Sequence, residues 1–191
     1  MTAEQPTLRF DGPESFRSWI EEHQDSSPGI WLVMAKKGSG QTTVTYAEAL
    51  DIALAYGWID GQAKRVDDDT YVQRFTPRRA RSPWSARNVK TAEKMIADGR
   101  MRARGLAEVE RARADGRWER AYAGSKDAEL DPEFLSALAE NPDAAAFFET
   151  LNSQNRFALY YRIQDAKRPE TRARRIAAFV DQLARGEKFY D

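Results

Sequence analysis

Residues 57–88 read GWIDGQAKRVDDDTYVQRFTPRRARSPWSARN, and their parsing decides the fold. Trp58 to Val66 and Thr70 to Thr76 read as two strands. Asp67-Asp68-Asp69 joins them, so the pair is a hairpin. Side chains alternate along a strand. Tyr71, Gln73 and Phe75 therefore share one face, and Val72, Arg74 and Thr76 the other. Pro77 ends the second strand, because it has no N–H for the ladder. The three aspartates invite a metal. They lack the glycine and the closing glutamate of a calcium loop, so a solvated turn is expected.

Working towards the N-terminus, Thr45-Tyr46-Ala47-Glu48 has the form of a capping box. The helix it opens places Tyr46, Ala49, Leu50, Ala53 and Leu54 on one face, leading to Trp58. Gly57 suits its C-cap. Ile30 to Ala35 is a continuous apolar run, which predicts a strand buried on both faces. Lys36 to Gly40 is a basic loop without P-loop spacing. Asp11-Gly12-Pro13 opens an earlier helix with Phe16, Trp19, Ile20 and His23 on one face. His23 is expected at the end of that face, without a catalytic role. Thr7 to Phe10 reads as a short first strand.

Towards the C-terminus, Ser85 caps a helix whose inner face holds Val89, Ala92 and Ile96, with Gly99 near its end. A basic helix follows over 102–114, with Leu106 and Val109 inward. Gly116 stops it, and Trp118 and Tyr122 are expected to fold back onto the core. Ala123 to Glu129 is a polar linker. Asp131-Pro132 and Asn141-Pro142 each start a helix. Ser153 is read as the cap of a third helix, with Phe157, Tyr160, Tyr161 and Ile163 inward. Pro169 opens a fourth, with Ala173, Ile176, Phe179, Val180 and Leu183 inward and Gly186 at its end. The class expected is α+β: a small mixed or antiparallel sheet with packed helices and a C-terminal helical section. The division expected is 1–123 and 124–191.

Composition narrows the chemistry. The chain of 191 residues has no cysteine and a single histidine. Disulfides, thiol nucleophiles, cysteine or histidine metal sites and a Ser-His-Asp triad are thereby excluded. No apolar run approaches the roughly 20 residues of a membrane span. MTAEQPTLRF has no basic start followed by an apolar run, so a cytoplasmic protein without a signal peptide is expected. Formal charge sums to zero, yet residues 78–120 hold thirteen Lys/Arg against six Asp/Glu. Residues 1–29 hold two basic against six acidic residues. Such asymmetry suits either a solvated basic face or an anionic partner.

The chemistry-bearing residues crowd into the central stretch. Arg74, Arg78, Arg79 and Arg81 are interleaved with Phe75 and Trp84. Guanidinium groups suit carboxylate and phosphate, and aromatic faces suit stacking. Trp58, Asp60, Arg74, Phe75, Thr76, Arg78, Arg79, Ser82, Trp84 and Asn88 are the candidate ligand-binding residues. Two readings stand side by side. In one, these side chains converge on a pocket for an anionic ligand. In the other, Trp58, Phe75 and Trp84 are core, and Arg74 and Arg78 pair with Asp60 and Asp67. Asp60 is expected to orient an arginine rather than act as a base. No catalytic residue, metal or cofactor is assigned.

Three groups of motifs resemble the YdeI/OmpD-associated (bacteriocin-protection) family. One runs from Thr45-Tyr46 through Ala49-Leu50-Asp51 to Gly57-Trp58-Ile59-Asp60-Gly61. Another is Arg74-Phe75-Thr76-Pro77-Arg78-Arg79 with Ser82-Pro83-Trp84-Ser85 and Asn88. The last is Ala166-Lys167 with Thr171-Arg172 and Arg174-Arg175. The resemblance implies a role linked to bacteriocin protection or envelope stress, without naming a reaction. The function expected is a non-catalytic module for a small anionic ligand or a protein partner. One alternative is a small metal-independent enzyme using Asp60 and nearby arginines. Another is nucleic-acid binding through residues 85–120 and 172–175, which neutrality and a pI of 6.7 weigh against. Oligomeric state is left open.

Overall fold

A computed structural model describes residues 5–191. Met1 to Glu4, part of the stretch read for a signal peptide, lie outside the described residues. The described chain divides into two compact units, one ending at Ala121 and one spanning Tyr122–Asp191.

The first unit holds β1 (Thr7–Leu8), α1 (Pro13–His23), β2 (Ile30–Ala35), α2 (Tyr46–Ala55), β3 (Trp58–Arg65), β4 (Thr70–Pro77), α3 (Ala86–Ala97) and α4 (Ala103–Ala114). The sheet runs β1-β2-β4-β3. β1 is parallel to β2, and the other pairs are antiparallel, so the sheet is mixed. The hairpin forms as read. At its turn Asp67 Oδ1 accepts Asp69 N–H at 2.9 Å, Thr70 N–H at 2.6 Å and the Thr70 hydroxyl at 2.9 Å. Those donors, the Thr70 amide foremost, hold its carboxyl below the usual range.

Register sorts the side chains into two faces. Ile30 pairs with Phe75 and Phe75 with Asp60. Trp31 pairs with Arg74, Val33 with Val72, and Val72 with Lys64. The Ile30–Phe75 face packs beneath α1 and α2, with Phe16, Ile20, Leu54, Trp58 and Met95 in one core. Trp31, Val33 and Val72 belong to no core cluster. The expectation that β2 is buried on both faces is therefore corrected. Its burial alternates, because the helices of this unit cover one side of the sheet.

Local signals place the helices. Thr45 and Glu48 close the capping box of α2. Gly57 then adopts φ +73°, the left-handed conformation that ends the helix cheaply only for glycine. Ser85 Oγ accepts Asn88 N–H and caps α3. In α4 the inward stripe is Gly105, Glu108, Val109 and Ala112. Leu106, expected inward, is among the exposed large hydrophobics. Gly105 takes the close contact instead, where α4 passes the Ala55 carbonyl.

The second unit is helical: α5 (Pro132–Ala139), α6 (Pro142–Glu149), α7 (Ser153–Gln164) and α8 (Pro169–Ala184). Asp131 and Asn141 cap α5 and α6 as read. The cap of α7 is Asn152, one residue before the Ser153 expected, because its amide oxygen reaches Asn155 N–H at 2.9 Å. Phe134, Phe148, Leu159, Ile163, Ile176 and Val180 form the core. Phe157 and Tyr161 are half-buried rather than inward, and Ala173 is exposed. Tyr122, expected on the first core, stacks edge-on to Tyr161 at 5.0 Å within the second unit.

Candidate functional site

The candidate residues do not gather into one hollow. Trp58 and Phe75 have no exposed surface and lie in the first core, so neither offers a ring to a ligand. Strand alternation divides the next ones. Asp60 faces the helix side, while Arg74 and Thr76 face the opposite side. A bulge between Asp60 and Ala63 restores the alternation beyond it, so Lys64 joins Arg74 and Thr76.

Asp60 takes a partner that the sequence reading did not name. The Tyr46 hydroxyl donates to its carboxylate at 2.7 Å. Burial, and then the hydrogen bond to Asp60, push the Tyr46 pKa well above the ordinary tyrosine value. Arg87 pulls weakly the other way. The tyrosine thus stays a neutral donor, and the expected arginine across the hairpin is absent from this contact. The signal was present: Tyr46 opens the helix that packs directly against β3.

The loop from Arg78 to Ser85 is braced from within. Arg78 is buried, with its guanidinium 3.5 Å over the Trp84 ring and its Nη1 donating to the Pro83 carbonyl at 3.2 Å. Trp84 meets Trp118 edge-on at 4.8 Å. Arg117 donates Nη1 to the Ser82 carbonyl at 2.7 Å and Nε to Asp115. Ser82 Oγ accepts the Arg79 N–H at 2.9 Å, closing a turn. Arg79 and Arg81 point outward. Asn88 is buried in the first turn of α3. Arg78, Trp84 and Asn88 therefore hold the loop in shape rather than open towards solvent.

The outer sheet face holds the remaining polar groups. Arg74 Nε donates to Gln5 Oε1 at 2.7 Å. Lys64 Nζ lies 4.1 Å from the centre of the Trp31 ring. Trp31 and Lys64 are additions to the candidate set. Six apolar residues in β2 concealed the exposed side of Trp31, since its register with β4 is a tertiary property. A separate hollow of about 230 Å³ in this unit is lined by Arg17, Glu48, Asp51, Met95 and Arg100 among others. None of the ten candidates lines it.

Among the described residues no cluster of three or more His, Cys, Asp or Glu is arranged to hold a metal. No helix there is long and apolar enough to cross a membrane.

Residues 8–108 match the family model of a domain of unknown function, DUF8412. The chain belongs to the DUF8412 family. That match spans all ten candidate residues together with Trp31 and Lys64. Residues 127–186 match a second family model, Bacteriocin-protection, YdeI or OmpD-Associated, the family that the sequence resembles. This second match covers α5 to α8 and the Ala166-Lys167 and Arg172 to Arg175 motifs. The GWIDG and RFTPRR motifs lie in the DUF8412 part. No curated protein and no solved structure matches the chain.

Proposed function

We propose that the DUF8412 part is a non-catalytic binding module, and that it holds an anionic ligand or partner on the outer face of its sheet. Arg74 carries this reading. Gln5 anchors its Nε, while no acceptor among the described residues takes its two Nη groups. A guanidinium oriented at one edge and open at the other presents its fork to a carboxylate or phosphate. Lys64 and Thr76 lie on the same face and add a cation and a hydroxyl. Asp60 lies on the opposite face, engaged by Tyr46, which supports positioning over base catalysis. The description of the second family names bacteriocin protection. A module that acts by holding an anionic partner fits that description.

Titration calorimetry with inorganic tripolyphosphate tests the reading. The expected result is binding that weakens as salt rises and falls about tenfold or more in Arg74→Ala, as loss of a charge-assisted pair implies. Arg81→Ala removes the same charge from the outward loop and is expected to change little. Absence of binding, or an equal loss in both variants, would overturn the proposal.

A further inference from the structure

The outer face carries more than charge. Trp31 stands on it, half-buried and outside both cores. Arg74 is its direct partner on β4. Lys64 lies one strand further out, opposite Val72, and reaches back over the indole. Opposed residues in an antiparallel pair have Cβ atoms about 5 Å apart, and diagonal neighbours about 7–8 Å. Both cations therefore lie on the β4 and β3 side of the one aromatic ring, Arg74 beside it and Lys64 over its face. Val33 and Val72 form an apolar pair on the same face, Val33 half-buried and Val72 buried.

We infer that this face binds single-stranded nucleic acid, with a base stacked on Trp31 and the flanking phosphates on Arg74 and Lys64. The inference rests on the anion-binding reading above and names its ligand. Charge complementarity is the first ground. The residues sharing the face along β2, β4 and β3 include Trp31, Val33, Val72, Arg74, Thr76 and Lys64, and none in register with them is a carboxylate. The aromatic ring is the second. A polyphosphate has no ring to lay on an indole, and the carboxylates of an acidic peptide carry none, whereas every base has a π-face. A duplex keeps its bases in the stack, so only an unpaired base can reach the ring. The surface is an open sheet rather than a walled pocket. It therefore suits a strand held by repeated contacts over a lone nucleotide that needs enclosure. Lys64 rests on the ring in the free protein. Its flexible stem lets it exchange that contact for a phosphate when a base arrives.

The test uses the full chain and three labelled probes of about 15 nucleotides, within the usual footprint of such surfaces. They are an oligothymidine, an abasic strand with the same number of phosphates, and a duplex. Anisotropy at low salt is expected to show the oligothymidine bound about tenfold tighter than the other two, the gain one stacked base supplies. Trp31→Ala should erase that advantage while leaving the abasic affinity in place. Arg74→Ala should weaken both strands. Equal affinity for the oligothymidine and the abasic strand would overturn the nucleobase assignment and leave anion binding standing. A duplex bound as well as the single strand would also overturn it. Failure of all three probes and of tripolyphosphate would remove both readings. Should Trp31→Ala not fold, the comparison of probes on the unaltered chain still decides.

Discussion

The Tyr46 hydroxyl donates to the Asp60 carboxylate at 2.7 Å, tying the first turn of α2 to β3. Tyr46→Phe removes the donor and leaves a half-buried carboxylate. The expected loss is ~1–2 kcal/mol, read from urea unfolding. The pH dependence has a definite sign. Burial and the bond to Asp60 raise the folded-state pKa above that of the unfolded chain, about 10. The contribution is thus complete below about pH 10 and is lost as pH rises towards the folded value. Burial also raises Tyr71 and Tyr161. Tyr46→Phe should therefore flatten the alkaline fall in stability without abolishing it. An unchanged alkaline slope would show that the hydroxyl makes no such contribution.

Gly105 sits inside α4, where alanine would ordinarily gain about 1 kcal/mol of helix propensity. Here an added Cβ would fall on the Ala55 carbonyl oxygen and within 2.6 Å of Met101 Sδ. The carbonyl is backbone at the end of α2 and cannot step aside alone. Gly105→Ala is expected to destabilise by ~1–3 kcal/mol, as overpacking does. A higher melting temperature for the variant would contradict this.

Arg117 holds the loop after β4 through the Ser82 carbonyl while Asp115 steadies its other edge. Methionine matches its bulk but donates no hydrogen bond. Arg117→Met is expected to cost ~1–3 kcal/mol and to free the loop. Trypsin should then cut after Arg79 and Arg81 faster than in the unaltered chain. Equal cleavage rates would show that the bracing lies elsewhere.

Asn155 is almost fully buried and ties down the C-terminal tail. Its Oδ1 accepts Phe189 N–H at 2.9 Å and Tyr190 N–H at 3.0 Å, and its Nδ2 donates to the Tyr190 carbonyl at 3.1 Å. Asn155→Ala strands those backbone groups. The expected signature is lost hydrogen-exchange protection at the Phe189 and Tyr190 amides with ~1–3 kcal/mol less stability of the second unit. Asn155→Asp keeps the acceptor but removes the donor, so it should fall between the two.

Much of the architecture was legible because it depends on neighbours in the chain. The capping box at Thr45 and the caps at Ser85, Asp131 and Asn141 are contacts between residues two or three apart. The hairpin was legible for the same reason, since its turn residues lie between its strands. The misreadings share the opposite cause. Leu106 and Gly105 compete for the inside of α4, and the winner depends on how near Ala55 lies. Asn152 and Ser153 are both good caps, and the backbone direction chose between them.

The sequence by itself determined the order of elements, the hairpin and the alternation that puts Arg74 and Thr76 on one side and Phe75 on the other. Periodicity and capping are local, so no partner has to be known. Only the tertiary structure decided which side of the sheet the helices cover. That choice buried Trp58 and Phe75 and left Trp31, Lys64 and Arg74 on the outer face. The physical reason is that a strand has two equivalent faces, and packing from distant segments breaks the tie.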